Sequence, residues 1–498
     1  MEVPSDTRNA YCKYCKTTIR AKFCDIKDHS KSKKHQVNSE PFSSSRQSKI
    51  SFPKAEKSRD VARAEAQLCL FIAKHCAISS CDDLVDIIKK RFSDKTATEL
   101  AMHRSKCTAV LKNVLMPHFI AKLKEDIGDR KYSILLDEST DISVVKYLGL
   151  AIHYFSENSQ KLVSTFLHLA PLEDCDANGI VHALKSSLRV YGLNLQIMVG
   201  IGTDNASVMV GINNGVYKKL KEDIPALVHI RCVCHSVQLS VSHASKETVP
   251  RNLEFLSVLS EVQRVNKIFE SNDCDPAKLL DDLTLLIENL VKRVILPANW
   301  HRIDPFTCNL EEYIVPKLYL GYETENLLSE LPKHLPEDRE KNLRERCSKF
   351  LIILIKELRN RLPDNVQVLK TMSLLSVENT LRVVKNSIVP LLESLSINPE
   401  SITKIEFQWS NITLVKWCET KDTVKFWAEV KGYKDAANIN PYEELSSVAL
   451  TVLSLPHSNA EIERVFSHMN IIITKLRNKM KTDTTNALLH IRYGLKRI

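Results

Sequence analysis

Four residues near the N-terminus have the types and spacing of metal ligands. Two residues lie between Cys12 and Cys15, 13 lie between Cys15 and His29, and five lie between His29 and His35. Zinc prefers tetrahedral thiolate and imidazole donors, and a turn could present both sulfurs while one helical face presents both histidines. The spacing therefore predicts a zinc site, and Cys24 is not expected to be a ligand. The alternative is a chance set of Cys and His residues in a basic tail.

Basic residues crowd the same segment and predict a cationic surface that binds DNA phosphates. The candidate DNA-binding residues are Lys16, Arg20, Lys31, Lys33 and Lys34. A segment of about 40 residues seldom folds on apolar burial alone, whereas structural zinc contributes on the order of 10 to 16 kcal/mol in finger peptides. Metal is therefore expected to be a condition of folding here.

Two aspartates are predicted to end strands of one sheet. Asp137 follows the apolar run Tyr132–Leu136, and Asp204 follows the run Leu195–Gly202. Ligands gather at the strand ends of α/β sheets, and paired carboxylates there could hold Mg²⁺ or Mn²⁺ for phosphodiester chemistry. The alternative is that each aspartate is a turn or cap residue.

A third acidic residue lies on a predicted C-terminal helix. Ser458 and Glu461 fit a capping box, which gives Glu461 a structural role. Glu463, one turn into the helix, could complete a three-carboxylate cluster if this helix packs on the sheet. The alternative is a solvated glutamate paired with a basic residue.

An apolar stripe follows the same helix at helical spacing. Its members are Ile462, Val465, Phe466, Met469, Ile473, Leu476 and Met480. The stripe is longer than one solvated helix should expose, so it predicts a dimer surface. The alternative is that it packs only within its own chain.

Patterning around these residues predicts an α/β layer with a mixed sheet. Three strands, over Tyr132–Leu136, Lys146–Phe155 and Lys161–Leu169, precede a helix at 177–190, a strand at 195–202 and a helix at 206–220. Eight of the 11 glycines lie between Gly128 and Gly215, so the rest of the chain is expected to be mainly helical.

Composition limits the class of protein. The 498 residues carry a net charge of +10, and 44% are hydrophobic, as in ordinary globular chains. Basic residues concentrate at the two ends, as expected of a protein that meets polyanions, although solvated tails would look similar. The longest aliphatic run, Leu351–Ile355, is too short to cross a membrane. No secretory signal is expected, and the 14 cysteines fit a reducing compartment.

These motifs together resemble the hAT family of transposases and the host proteins derived from them. The matching residues are Cys12, Cys15, His29 and His35 for a BED-type zinc finger, Asp137, Asp204 and Glu463 for the D-D-E triad, and Cys232 and His235 for the C-x-x-H element. Residues 458–479 resemble the family's C-terminal dimerisation signature. The resemblance implies an RNase H-like mixed-sheet core interrupted by a large all-α insertion, with catalytic roles for the three acids.

The resemblance also implies a domain order. The expected segments are a zinc finger at 1–36, a linker at 37–59, a helical segment at 60–129, the first part of the RNase H-like core at 130–240, the helical insertion at 241–445, and the C-terminal core part with the dimerisation region at 446–498.

One family feature is missing. Family members carry an Arg-Trp motif that places an aromatic ring against a flipped base, and no Arg-Trp pair occurs here. We therefore expect a transposase-derived, zinc-dependent DNA-binding protein, nuclear and without a membrane partner, that forms a homodimer or higher oligomer without full transposition activity. The alternatives are an active Mg²⁺- or Mn²⁺-dependent DNA endonuclease and strand transferase, and an interaction scaffold on a relic fold.

Overall fold

The chain forms two compact units. The computed structural model describes residues 2–3, 6–39, 59–211, 214–248, 256–330 and 337–497. One unit comprises Met1–Ala64 and Asp94–Leu100, and the other comprises Glu65–Ser93 and Ala101–Ile498. Most of the expected linker, residues 40–58, lies outside the described residues.

The N-terminal part of the first unit is a short β-sheet followed by two helices. Its elements are β1 Glu2–Val3, β2 Asp6–Cys12, β3 Thr17–Arg20, α1 Phe23–Lys31 and α2 Lys33–Ser39. β2 and β3 pair antiparallel with Cys12 opposite Thr17, so the residues between them form a tight turn. Lys16 in this turn has a φ of 52°. Helices α1 and α2 have no buried residue.

Residues 59–127 are helical, as the apolar periodicity predicts. The helices are α3 Arg59–His75, α4 Ser80–Arg91, α5 Lys95–Glu99, α6 Arg104–Val110 and α7 Met116–Ile127. A π-helical turn, Leu111–Leu115, joins α6 to α7. The chain leaves α7 at Gly128, whose φ of 55° suits glycine.

A five-stranded mixed sheet follows. Its strands are β4 Tyr132–Thr140, β5 Lys146–Ser156, β6 Lys161–Pro171, β7 Met198–Thr203 and β8 Val228–Arg231, in the order β6-β5-β4-β7-β8. The first three strands pair antiparallel, whereas β4, β7 and β8 run parallel. The first three predicted strands are confirmed, and the fourth is confirmed from Met198 onward, because Leu195–Ile197 form a 3-10 turn. The short strand β8 was not predicted, because its sequence Val-His-Ile-Arg carries little apolar signal.

Two sequence predictions in this region are wrong in detail. Asp137 lies within β4, opposite Gly149 of β5, instead of ending the strand. The helix predicted at 206–220 divides into α9 Ser207–Val210 and α10 Val216–Asp223. The backbone turns back on itself there, since a Cβ at Gly215 would lie 2.6 Å from the backbone of Gly211. The helix at 177–190 is confirmed as α8 Ala177–Tyr191.

The described residues between 233 and 453 are mainly helical. Their helices are α11 Val233–Thr248, α12 Leu256–Glu270, α13 Leu279–Val294, α14 Tyr322–Glu330, α15 Glu337–Arg361, α16 Pro363–Leu374, α17 Val377–Thr380, α18 Val389–Ser394, α19 Pro399–Asn411, α20 Thr423–Gly432 and α21 Glu443–Leu453. An isolated bridge pairs Ile295 with Ile314. Apolar residues of these helices share one core, in which Trp427 is fully buried and donates a hydrogen bond to the Leu375 carbonyl.

The last two helices return to the sheet. α22 Ala460–Ile472 packs against β4, β5 and β6, and α23 Thr482–Arg497 packs against β6 and α7. Phe466 of α22 lies over Gly149 of β5, where a Cβ added to the glycine would be 2.7 Å from the phenyl ring. Glycine is needed at this position because the helix and the strand approach so closely.

This packing corrects the dimer surface predicted from the apolar stripe. Ile462, Val465, Phe466 and Met469 are all buried within the chain, because the stripe is the face of α22 that covers the sheet. The side chain of Leu476 lies outside the described part of the structure. The four buried residues stabilise the monomer fold and are not open to a partner.

The length and hydropathy of the helices bear on membrane crossing. Within the described ranges, no helix combines the length and the apolar character that crossing a lipid bilayer requires.

The contact between α22 and β5 can be tested with paired glycine substitutions. Gly149→Ala should lower the free energy of unfolding by about 1 to 3 kcal/mol, because its methyl group overlaps the Phe466 ring. Gly432→Ala is the control, since no heavy atom lies within 4 Å of the position that its Cβ would take. The unfolding midpoint in urea is the measurement, and equal midpoints for the two variants would contradict the packing.

Candidate functional site

The four predicted zinc ligands converge. The ligand atoms of Cys12, Cys15, His29 and His35 all lie within 4.8 Å of one another. Nδ1 of His35 is 3.3 Å from Sγ of Cys12 and 3.6 Å from Sγ of Cys15. Tetrahedral zinc, with Zn–S near 2.3 Å and Zn–N near 2.0 Å, places sulfur and nitrogen about 3.5 Å apart. The spacing of these atoms fits zinc.

The two histidines lie on successive helices, which corrects the prediction of one shared helical face. Ser32 separates α1 from α2 with extended backbone angles, and its Oγ accepts a hydrogen bond from the His35 amide. In a continuous helix, six residues turn the side chain by about 240°, so His29 and His35 would point apart. The break at Ser32 therefore allows both imidazoles to face one ion.

Local polar chemistry also fits a metal. Nε2 of His29 is buried and has no hydrogen-bond partner among the described residues. Burial raises the pKa of the Cys12 thiol, but hydrogen bonds, including those from the Cys15 and Tyr14 amides, outweigh it, and the net pKa lies below the ordinary value. Burial and the neighbouring Cys12 raise the pKa of the Cys15 thiol. A thiol with a lowered pKa loses its proton more readily to a metal. Cys24 is exposed and outside the group, as expected.

The predicted DNA-binding residues are all exposed on this finger. Lys16 and Arg20 lie in and after the turn of the hairpin, whereas Lys31, Lys33 and Lys34 cluster at the junction of α1 and α2. The three lysines are close in sequence to both histidine ligands. Binding of zinc would therefore fix the positions of these charges.

The two aspartates follow neighbouring positions of two parallel strands. Leu135 of β4 pairs with Gly202 of β7; Asp137 comes two residues after Leu135 within β4, and Asp204 directly follows the end of β7. Asp137 accepts a hydrogen bond from the Glu138 amide, and Asp204 accepts one from the Ala206 amide. These bonds orient the carboxylates but leave other oxygen lone pairs available.

The carboxylates interact electrostatically. Burial, followed by the negative charges of Asp204 and Glu463, raises the pKa of Asp137 to about 7. Glu463 on α22 is thus near enough to act on Asp137. Burial and the charge of Glu270 also raise the pKa of Glu463. Like charges held together in this way are relieved by a bound cation.

The C-x-x-H element adjoins the same carboxylates. The Cys232 amide donates to the Thr203 carbonyl at the end of β7, and the Cys232 sulfur accepts from the Asn459 amide at the start of α22. His235 acts on Glu463 and lowers its pKa, against the larger effect of burial. Cys232 therefore links the end of β7 to the start of α22, and the charge of His235 acts on Glu463.

The spacing of the acids differs from that of the finger ligands. Over the described ranges, the group of Cys, His, Asp and Glu side chains close enough together to hold a single ion is the N-terminal one. Asp137, Asp204 and Glu463 are spaced more widely. Two-metal phosphoryl-transfer sites use ions about 3.5 to 4 Å apart, so their ligands need not converge on one point.

The four tryptophans all lie in the helical region. Trp409, Trp417 and Trp427 are buried, and each donates its indole N–H to a backbone carbonyl. Trp300 is half-buried, with the Lys292 ammonium 4.3 Å from the ring centroid. The three buried rings cannot receive a flipped base.

The sequence did not point to Asn459, and the helix cap was wrongly assigned to the neighbouring Ser458. α22 begins after Asn459, and the predicted capping box is wrong because Ser458 Oγ donates to the Phe269 carbonyl instead. Glu461 binds Asn272 and Arg464. Asparagine is itself a common residue at helix starts, so a sequence signal existed but did not distinguish it from Ser458. Glu270 had no sequence signal.

Two known families match parts of the chain. Residues 80–215 match the family described as the ZMYM1/FAM200 RNase-like domain. Residues 410–495 match the family described as the hAT family C-terminal dimerisation region. The first match includes Asp137 and Asp204, and the second includes Glu463.

Metal dependence of the finger can be tested by ligand replacement. Cys15→Ser should prevent zinc binding and unfold residues 10–36, because this segment has few buried apolar residues. Hydrogen exchange of the finger amides and the zinc content of the purified chain are the measurements. Cys24→Ser is the matched control and should behave like the unmodified protein. Slow exchange in the finger after EDTA treatment would refute the metal requirement.

Proposed function

The two matched regions are those of a hAT transposase-derived protein, and on that premise we propose a nuclear, dimeric, zinc-dependent DNA-binding protein that lacks full transposition activity. The observation that carries this proposal is the Cys₂His₂ group inside a finger whose surface is strongly basic. Zinc orders the finger, and the ordered finger presents lysines to DNA phosphates. DNA contact and the loss of transposition are the parts that experiment must test.

The finger surface supports contact with nucleic acid. Exposed lysines lie on both sides of the His29 and His35 ligands. Phe23 at the start of α1 is 81% exposed, with the Lys27 ammonium 5.9 Å from its ring centroid. Positive charge beside an accessible aromatic ring suits a polyanion that also offers apolar base and sugar surfaces.

Dimerisation would strengthen the binding of the fingers to DNA. The hAT C-terminal region supports a homodimer, which would carry two fingers. Two linked fingers raise the effective concentration of the second contact once the first has bound DNA. Because the apolar stripe of α22 is buried, the dimer must form through other surfaces of this region.

Loss of full transposition is supported by the missing aromatic surface. Flipping a base costs a few kcal/mol of unstacking and needs an aromatic surface to receive the base. No Arg-Trp pair exists, and Trp409, Trp417 and Trp427 are in the helical core. The proposed protein keeps DNA recognition and assembly without the ordered cleavage of its ancestors.

Charge removal tests the DNA-binding proposal. Replacing Lys31, Lys33 and Lys34 together with Gln should weaken binding to most duplex sequences about tenfold or more at moderate salt. The slope of log affinity against log salt concentration should fall by up to about 3. Fluorescence anisotropy with labelled duplex is the measurement.

The control replaces three exposed basic residues of α4, Lys89, Lys90 and Arg91, with Gln. This variant has the same net charge as the finger variant but an intact finger surface. Equal losses of affinity in the two variants would show that total charge, not the finger, binds DNA.

An active metal-dependent DNA endonuclease is the second candidate. The observation in its favour is the electrostatic coupling of Asp137 with Asp204 and Glu463. In such an enzyme the acids would hold Mg²⁺ or Mn²⁺, which supplies an activated nucleophile and stabilises the leaving oxygen. The remaining role of the chain would be to orient the three carboxylates from two strands and one helix.

A nicking assay separates the two candidates. On the preferred proposal, the wild-type chain leaves labelled duplex intact in the presence of Mn²⁺. Metal-dependent nicking that disappears in Asp204→Ala would establish the nuclease instead. Asp223→Ala on α10 is the control for contaminating nuclease, because this residue pairs with Lys185 and belongs to no part of the acidic group.

A further inference from the structure

Asn459 occupies the junction of the three elements that carry the acids. We propose that Asn459 is a positioning residue, which ties the end of β7 to the start of α22 so that Asp204 and Glu463 are held near Asp137 in a site for divalent cations. This inference rests on the acidic group of the second candidate function, but it assigns a role to a residue that lies outside that group. Asn459 would act through the carboxylates and would not bind the cation.

The side-chain amide of Asn459 bridges to the end of β7. It is 2% exposed. In the amide orientation that satisfies both groups, Nδ2 donates to the Gly202 carbonyl at 3.3 Å and Oδ1 accepts from the Asp204 amide at 3.1 Å. The second bond holds the backbone of Asp204 itself.

The same amide also adjoins β4. In the orientation that binds Gly202 and Asp204, Oδ1 lies 3.3 Å from the carbonyl oxygen of Leu136, the residue before Asp137, so this approach is a packing contact and not a hydrogen bond. The hydrogen bonds of the amide are therefore with the end of β7. A shift of that strand end would break them.

The backbone of Asn459 sets the start of α22. Its carbonyl accepts from the amides of Ile462 and Glu463, at 3.1 and 3.2 Å. Its own amide donates to Sγ of Cys232 at 3.3 Å. Glu463 is therefore placed directly by the residue that binds the Asp204 amide.

Crowding around the Asn459 amide explains a glycine in β7. A Cβ added at Gly202 would lie 2.6 Å from Cδ2 of Leu135 and 3.0 Å from the side-chain amide of Asn459. Gly202 is needed because the side chains of Leu135 and Asn459 fill the space beside it.

The chemistry favours asparagine over related residues. Its carboxamide offers a donor and an acceptor in one plane, which matches a carbonyl and an N–H of the strand. Aspartate would lose the donor and place a further negative charge beside Asp204. Leucine has a similar size but would leave the Asp204 amide without its partner.

The experiment compares two buried asparagines in the full-length chain. Asn459→Ala is the test, and Asn486→Ala on α23 is the matched control. Asn486 is 3% exposed and also bridges a strand, binding the Leu169 amide at 2.9 Å and the Leu169 carbonyl at 3.0 Å. Leu169 lies on β6, two strands from Asp137, with Gly149 of β5 between them. Both substitutions remove the same kind of contact.

Two measurements are made on each variant. Hydrogen exchange of the metal-free chain reports how firmly the strand ends are held, and Mn²⁺ titration followed by electron paramagnetic resonance reports cation affinity. Asn459→Ala should speed exchange at the Asp204 amide at least tenfold and weaken Mn²⁺ binding at least tenfold. Asn486→Ala should speed exchange around Leu169 and leave Mn²⁺ affinity unchanged. Asn459→Ser, which shortens the side chain but keeps a polar group, should give intermediate values and provides a second variant.

The outcomes separate this inference from the function on which it rests. Unchanged exchange at Asp204 in Asn459→Ala, or equal effects of the two alanine variants on Mn²⁺ binding, would overturn the positioning role. Absence of Mn²⁺ binding in the wild-type chain, or binding that survives Asp204→Ala, would instead refute the cation site. In that case local exchange at Asp204 would still decide whether Asn459 holds the strand end.

Discussion

The packing of helix α22 across the sheet is the constraint on which the rest of the structure depends. Its apolar face, which includes Ile462 and Phe466, covers β4 and β5, and Gly149 permits the close approach. With that face buried, Glu463 lies where its charge acts on Asp137. Burial of apolar side chains therefore brings a carboxylate from late in the chain into electrostatic contact with Asp137, which also interacts with Asp204.

Residues of the C-terminal signature make contacts within the single chain. Arg464 binds Asn272 and the Glu270 carbonyl, and Ser458 binds the Phe269 carbonyl, so this motif attaches the end of α12 to α22. Its polar and apolar residues thus stabilise the fold of the single chain. A homodimer built from this region has to use residues that remain accessible after the fold has formed.

The N-terminal finger has almost no hydrophobic core. Helices α1 and α2 bury no side chain, and Cys15 is the buried residue of the ligand set. Because apolar burial contributes so little here, a metal held by the Cys₂His₂ group would take the place of a hydrophobic core. The large second unit is stabilised in the ordinary way, by extended apolar cores under the sheet and among the helices.

The sequence by itself predicted the Cys₂His₂ group and four of the five strands of the mixed sheet, because local spacing and alternation encode these features. It also singled out Asp137, Asp204 and Glu463, whose catalytic role stays a prediction. It did not reveal strand β8, the helix break at Ser32 or the contacts of Asn459. Periodicity also showed that Ile462 to Met469 form an apolar face, but not what covers that face. Only the tertiary structure decided that the sheet covers it, and that Asn459 lies between Gly202 and Asp204. Contacts between residues far apart in the chain depend on how whole elements pack, which no local pattern contains.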